Sequence, residues 1–136
     1  MKKKTTSINQ RIILNALPEE VYDAFLDPKK HSDFTGSEAT GKAEVGAEFT
    51  AWDGYISGRN LELKKGKRIV QEWTTTEWPK GYPPSRLELT FNEIDGRRTE
   101  LTMVHSEIPA DQEDELKQGW TDYYWEPLKH YFGKRS

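Results

Sequence analysis

Three histidines, His31, His105 and His130, are the side chains of this chain best suited by type to move a proton or hold a metal. None stands at ligand spacing from a second histidine or a carboxylate, so the sequence offers no zinc site. His105 alone has a candidate role. Strand alternation puts it on the face that carries Leu101 and Met103. There it either hangs into a cavity, as a ligand contact or general base, or sits at a strand end bonded to backbone or water. His31 and His130, flanked by lysines or aromatics at element ends, read as surface residues.

Other reactive constellations are missing. The chain has no cysteine, which excludes disulfides and thiolate metal sites. No nucleophile elbow, phosphate loop, dinucleotide fingerprint or EF-hand loop occurs. Glu72, Glu88 and Glu93 read as outward-facing rather than as a carboxylate pair across a cleft. No catalytic residue, metal ligand or cofactor is assigned. What remains is a set of rings: five Trp, six Tyr and five Phe in 136 residues. Trp52, Trp73, Trp78, Trp120 and Tyr124 either line a hydrophobic pocket or fill the space between elements.

These residues need elements to place them. Asp111 to Phe132 reads as one long helix with acids at its start and bases at its end, as the helix dipole favours. Leu116, Trp120, Tyr123, Leu128 and Tyr131 fall at three- and four-residue steps on one face, expected to be buried. The same spacing puts Trp125 nearly opposite, where an exposed indole would mark a partner surface. Pro127 removes a backbone donor inside this helix and is expected to bend it.

Upstream, Thr6 to Leu14 reads as a first strand. Pro18 to Phe25 reads as a helix with proline at its first position, and a second short helix follows through His31 to Phe34. From Thr40 the period is two, with strands over Thr40–Glu44, Glu48–Trp52, Tyr55–Leu63, Arg68–Thr75, Ser85–Asn92 and Thr99–Ser106. Asp53-Gly54, Lys65-Gly66 and Asp95-Gly96 supply hairpin turns. Gly58 inside a strand suggests a bulge or sharp bend. Trp78-Pro79-Lys80-Gly81-Tyr82-Pro83-Pro84 forms a stiff loop, with Trp78 and Tyr82 as candidates for partner contact alongside Trp125.

The order is α+β: a curved antiparallel sheet of six to seven strands gripping a long C-terminal helix, with short helices after the first strand. One domain over 1–136 is expected, with residues 1–5 as a frayed basic terminus. A net charge of −3 gives no general attraction to nucleic acid or anionic lipid. No apolar run approaches the ~20 residues that cross a bilayer, and no signal-peptide core follows the basic start. A cytoplasmic location is the expectation.

Several segments together resemble a family. They are Gly54-Tyr55-Ile56-Ser57-Gly58, Trp73 with Trp78-Pro79-Lys80-Gly81, Leu87-Glu88-Leu89-Thr90-Phe91 and Thr99-Glu100-Leu101-Thr102-Met103. Ile108-Pro109, Gln118-Gly119-Trp120, Tyr123-Tyr124 and Phe132-Gly133 follow in the same order. From about Leu17 to Gly133 the chain is similar to the activators of heat-shock protein 90 ATPase, specifically the C-terminal domain of the eukaryotic co-chaperone. That domain belongs to the START-like, Bet v-like superfamily of helix-grip folds. The resemblance implies contact with a chaperone of the heat-shock protein 90 class. In the co-chaperone a separate N-terminal domain supplies much of the binding and stimulation, so a lone domain is expected to bind weakly and stimulate little.

Three readings follow. The first is a non-enzymatic binding module of this family, a weak co-chaperone or stress-related protein. The second is a carrier or sensor of a small hydrophobic ligand, held in a cavity lined by Trp73, Leu89, Phe91, Met103, His105, Trp120 and Tyr124. The third is an enzyme such as a cyclase or hydrolase using His105 or a cavity carboxylate, against which stands the lack of any nucleophile–base spacing.

Overall fold

The computed structural model describes residues 4–133, and Met1, Lys2 and Lys3 of the expected basic terminus lie outside them. Thr5, expected to fray, instead opens strand β1 (Thr5–Leu14). The carbonyl of Lys4 before it accepts from the Ala110 amide at 3.0 Å and from the Tyr82 hydroxyl at 3.3 Å. Two short helices follow, α1 (Pro18–Leu26) and α2 (Pro28–Thr35), each with proline at its first position. The Asp27 carboxylate caps α2 by accepting from the Lys29 amide at 2.9 Å, and Gly36 ends it at φ 81°.

Five strands come next: β2 (Glu48–Ala51), β3 (Ile56–Lys64), β4 (Arg68–Thr75), β5 (Ser85–Glu93) and β6 (Thr99–Pro109). The sheet runs β1-β6-β5-β4-β3-β2 with every pair antiparallel. The three Gly-containing turns join β2–β3, β3–β4 and β5–β6 as expected. The seventh strand, expected over Thr40–Glu44, does not form. Only Thr40 pairs, with Thr50. Gly41 at φ 137° and Gly46 at φ 88° break the extended path. The buried Asn60 amide holds the segment instead, donating to the carbonyls of Lys42 and Glu44 at 2.9 and 3.1 Å.

Gly58 is a point of close approach and not a bulge. The β3–β4 register slips at Leu61, between Asn60 and Glu62. A Cβ on Gly58 would run into the Glu72 carbonyl oxygen and the Phe49 ring. Gly58→Ala is therefore expected to lower stability by about 1–3 kcal/mol, measured by urea unfolding with Gly36→Ala as the contrast. At Gly36 the space is open and only the backbone objects.

The last segment is helical throughout but not one regular helix. A 3₁₀ turn (Ala110–Gln112) leads into α3 (Glu113–Trp120), a π turn (Thr121–Trp125) and α4 (Glu126–Gly133). In the π turn the Glu126 amide bonds back to the Thr121 carbonyl, five residues away. This widening shifts the helix phase, so residues five apart align. Trp120 and Trp125 consequently stack, with ring centroids 5.2 Å apart. Two expectations are corrected here. Trp125, read as exposed, is only 3% exposed, and Tyr123, read as buried, is 55% exposed. The Trp125 indole donates to the Gln10 side-chain oxygen on β1 at 2.7 Å, and the Gln10 amide donates to the Lys117 carbonyl at 3.3 Å. Pro127, which has no N–H to give, sits just after the widened turn, where the ladder is already interrupted.

The buried residues of the helix (Trp120, Tyr124, Trp125, Leu128, Phe132) share one hydrophobic core with Ile69, Leu87, Leu89, Leu101 and Met103 of the sheet. A tryptophan-sized ring removes about 150–250 Å² from water. At about 25 cal/mol per Å² that is roughly 4–6 kcal/mol per ring as an upper bound.

Candidate functional site

A cavity of about 670 Å³ opens between α3 with the π turn on one side and the ends of β2, β3 and β4 on the other. Its floor is made of buried Ile56, Trp73, Trp120 and Tyr124. Half-buried Trp52, Leu116 and Gly119 form the walls, and exposed Tyr55 and Tyr123 stand at the mouth. Polar residues ring the opening: Glu77, Gln112, Glu115, Gln118 and Asp122.

Local backbone geometry sets the mouth. Trp52, Asp53 and Gly54 are all left-handed, at φ 53°, 58° and 88°. A bulky residue rarely adopts this conformation, so surrounding contacts must hold it. The Asp53 amide donates to the Glu38 carbonyl at 3.0 Å, and its carboxylate accepts from the Glu38 amide at 2.8 Å. The turn thereby aims the Trp52 ring edge-on at Tyr123, 5.2 Å away. Across the mouth the Tyr55 hydroxyl donates to Glu77 at 2.7 Å, and the Gln112 amide donates to the Glu77 carbonyl at 3.2 Å.

Behind the floor runs a buried chain of hydrogen bonds. The Trp120 indole donates to His105 Nδ1 at 3.1 Å. Nδ1 must therefore be the bare nitrogen, so Nε2 carries the proton and donates to Ser85 Oγ at 2.7 Å. Ser85 donates in turn to the Trp73 carbonyl at 2.7 Å. Burial pushes His105 down from 6.5 to about 3, which keeps it neutral. A serine activated for attack would give its proton to the histidine. Here the bond runs the other way, so the pair is structural.

The sequence placed these residues with mixed success. Trp73, Trp120 and Tyr124 line the cavity. Leu89, Phe91, Met103 and His105 do not. All four point inward but are sealed in the core, at 0%, 3%, 0% and 0% exposure. The physical reason is that other side chains cover the inner face: Tyr22 and Phe25 of α1 lie 6.0 and 6.3 Å from Phe91, and the rings of Trp73 and Trp120 lie 4.7 and 5.7 Å from His105. His31 is not a surface residue. It is buried, its Nδ1 donates to the Phe25 carbonyl at 3.0 Å, and its Nε2 accepts from the Tyr124 hydroxyl at 2.9 Å. Burial lowers the His31 pKa and raises that of Tyr124. Trp78 is half-buried, edge-on to Trp73, with its indole donating to the Pro83 carbonyl at 2.9 Å. Tyr82 is likewise half-buried. Tyr55 and the rim acids were missed, although Tyr55 stands directly after the Asp53-Gly54 turn. Among the described residues no cluster of His, Asp and Glu could hold a metal ion, and no helix is long and apolar enough to cross a membrane.

A six-stranded antiparallel sheet holding one C-terminal helix, with an aromatic cavity between them, defines a helix-grip domain of the START-like class. The family model described as "Activator of Hsp90 ATPase homolog 1-like protein" matches residues 15–133. The chain belongs to this family. It is 36% identical over 133 residues to the human activator of 90 kDa heat shock protein ATPase homolog 1, covering 98% of this chain and 39% of the relative. To the Saccharomyces cerevisiae Hsp90 co-chaperone AHA1 it is 27% identical, covering 95% of this chain and 38% of that one. The chain thus spans about two-fifths of these curated relatives. The crystal structure of an HSP90 activator from Plasmodium falciparum superposes with a TM-score of 0.87 at 25% identity, covering 94% of this chain and 96% of the other.

Proposed function

We propose that this domain is a non-catalytic binding module that engages a chaperone of the heat-shock protein 90 class. Family membership across residues 15–133 carries the reading, since relatives along that whole stretch are named as activators of this chaperone's ATPase. The direction of the Ser85–His105 bond supports the absence of chemistry of its own. The contact surface is the cavity mouth with exposed Tyr55 and Tyr123, together with the Trp78 to Pro84 loop. Trp125, buried against Gln10, has no part in it. Assayed as this single domain, binding is weak, because a lone module lacks the gain of roughly 10²-fold or more that a linked second contact brings.

Calorimetry and a steady-state ATPase assay with the organism's own chaperone test the proposal. A micromolar or weaker Kd with little stimulation is expected, and Tyr55→Ala with Tyr123→Ala should weaken binding about tenfold or more. No heat of binding at millimolar concentration, or unchanged affinity in the double variant, would refute the module or its surface respectively.

A second reading has its own support. A cavity of about 670 Å³ lies within the range of small-molecule sites, so the domain also carries or senses an apolar ligand there.

A further inference from the structure

We infer that the cavity takes an organic cation, an ammonium group on an apolar or aromatic body, and rejects carboxylates. This rests on the cavity-ligand reading and adds the charge of the guest. The lining includes three acids, Glu77, Glu115 and Asp122, and no Lys, Arg or His.

Several carboxylates elsewhere on the domain are matched by bases. On the outer face of the sheet Glu62 and Glu88 flank Arg68, Arg86 also holds Glu88, and Arg59 holds Glu72. At the rim, among the described residues, none of the three acids is in an ion pair. The Glu77 carboxylate accepts from the neutral Tyr55 hydroxyl, and that of Asp122 from the Gln118 amide at 2.9 Å. Their charge is left facing the opening. Tyr55 senses it: burial raises its pKa first, and Glu77 and Glu115 push it further up.

Below the rim, Trp73, Trp120 and Tyr124 cluster in the floor, Trp73 stacked on Trp120 with ring centroids 5.7 Å apart and Tyr124 tilted against Trp120 at 4.8 Å. Aromatic faces are negative and attract cations. Low-dielectric walls around unbalanced charge focus the field on the cavity. The same arrangement repels a carboxylate, so a fatty acid is the wrong amphiphile for this site. The apolar body would lie on the ring floor and the ammonium among the rim acids.

Three probes share one body and differ in head group: 4-phenylbutylammonium, 4-phenylbutanol and 4-phenylbutanoate. Calorimetry at neutral pH and low salt should rank them in that order, the ammonium binding about tenfold tighter than the alcohol. The variant Glu77→Gln, Glu115→Gln, Asp122→Asn should shrink that preference to about threefold or less while the alcohol's affinity holds. All three acids are exposed, so the variant is expected to fold, which circular dichroism checks. Equal binding of ammonium and alcohol, or tightest binding of the carboxylate, would overturn the cation inference and leave the cavity reading standing. Binding of none of the three would overturn both.

Discussion

Replacing His105 by alanine is expected to cost about 3–5 kcal/mol of stability. That is a large share of the roughly 5–15 kcal/mol typical of a folded domain. Two losses combine. An imidazole with no exposed surface is deleted from packed core, and two buried polar groups lose their partner. The Trp120 indole donor and the Ser85 oxygen have no water to turn to. Urea unfolding of His105→Ala, Ser85→Ala and the double variant measures this. Residues in one bond chain do not act independently, so the double variant should lose clearly less than the summed singles. His105→Gln, which keeps one donor and one acceptor, should recover part of the deficit. Additive losses, or a His105→Ala cost below about 1 kcal/mol, would show that the chain contributes little.

Acid should weaken the domain well before ordinary carboxylates titrate. His105 has a folded pKa of about 3 against an unfolded value of 6.5. Below 6.5 the unfolded chain takes up a proton that the native state refuses, and stability falls at about 1.4 kcal/mol per pH unit. By about pH 4.5 this one group removes about 3 kcal/mol, and His31, lowered for the same reason, adds to the loss. Glu113 and Asp95 are lowered too, each by a basic neighbour, and their contribution is lost only as pH falls from the ordinary carboxylate value downwards. At the alkaline end the sign reverses. Tyr124 is raised by burial, so above about 10 the unfolded chain loses its phenolic proton first. Stability should therefore be flat between about pH 6.5 and 10. Urea midpoints across pH, with the imidazole proton shifts followed by NMR, check the plateau. A His105 ring that titrates near 6.5 in the native state would contradict it.

Six of the seven expected strands, the three hairpin turns and the inward alternation of Leu87, Leu89, Phe91, Leu101 and Met103 were legible in the sequence. Period-two patterning and Gly at the turns carry that information locally. The cavity was only half legible, because inward-facing and cavity-facing are different properties. Which inward residues are sealed depends on where α1 and the rings of Trp73 and Trp120 lie, and no strand pattern encodes that. The phase of the last helix failed for a definite reason. A constant turn of 100° per residue cannot anticipate five residues wound more widely, so Tyr123 and Trp125 exchanged places. His31 failed similarly, since an eight-residue helix reveals little about the elements that bury it. Two of the rim acids, Glu115 and Asp122, share with Gln118 one polar face of α3 and the π turn at three- and four-residue steps, whereas Glu77 lies after β4.

Trp120 belongs both to the cavity floor and to the hydrogen-bonded chain behind it. Its ring lies against Trp73 on one side and Trp125 on another, and Trp125 is itself tied to Gln10. Moving that ring by a rotamer would break a bond anchored through β6 and β5 to the carbonyl of Trp73 on β4. The floor is therefore a casting rather than a cushion. Its side chains surrender their freedom when the chain folds, before any guest arrives, so little ordering is left to oppose binding. Guests of one polarity offered to this floor would be sorted by their outline, and a misfit would be turned away instead of being accommodated.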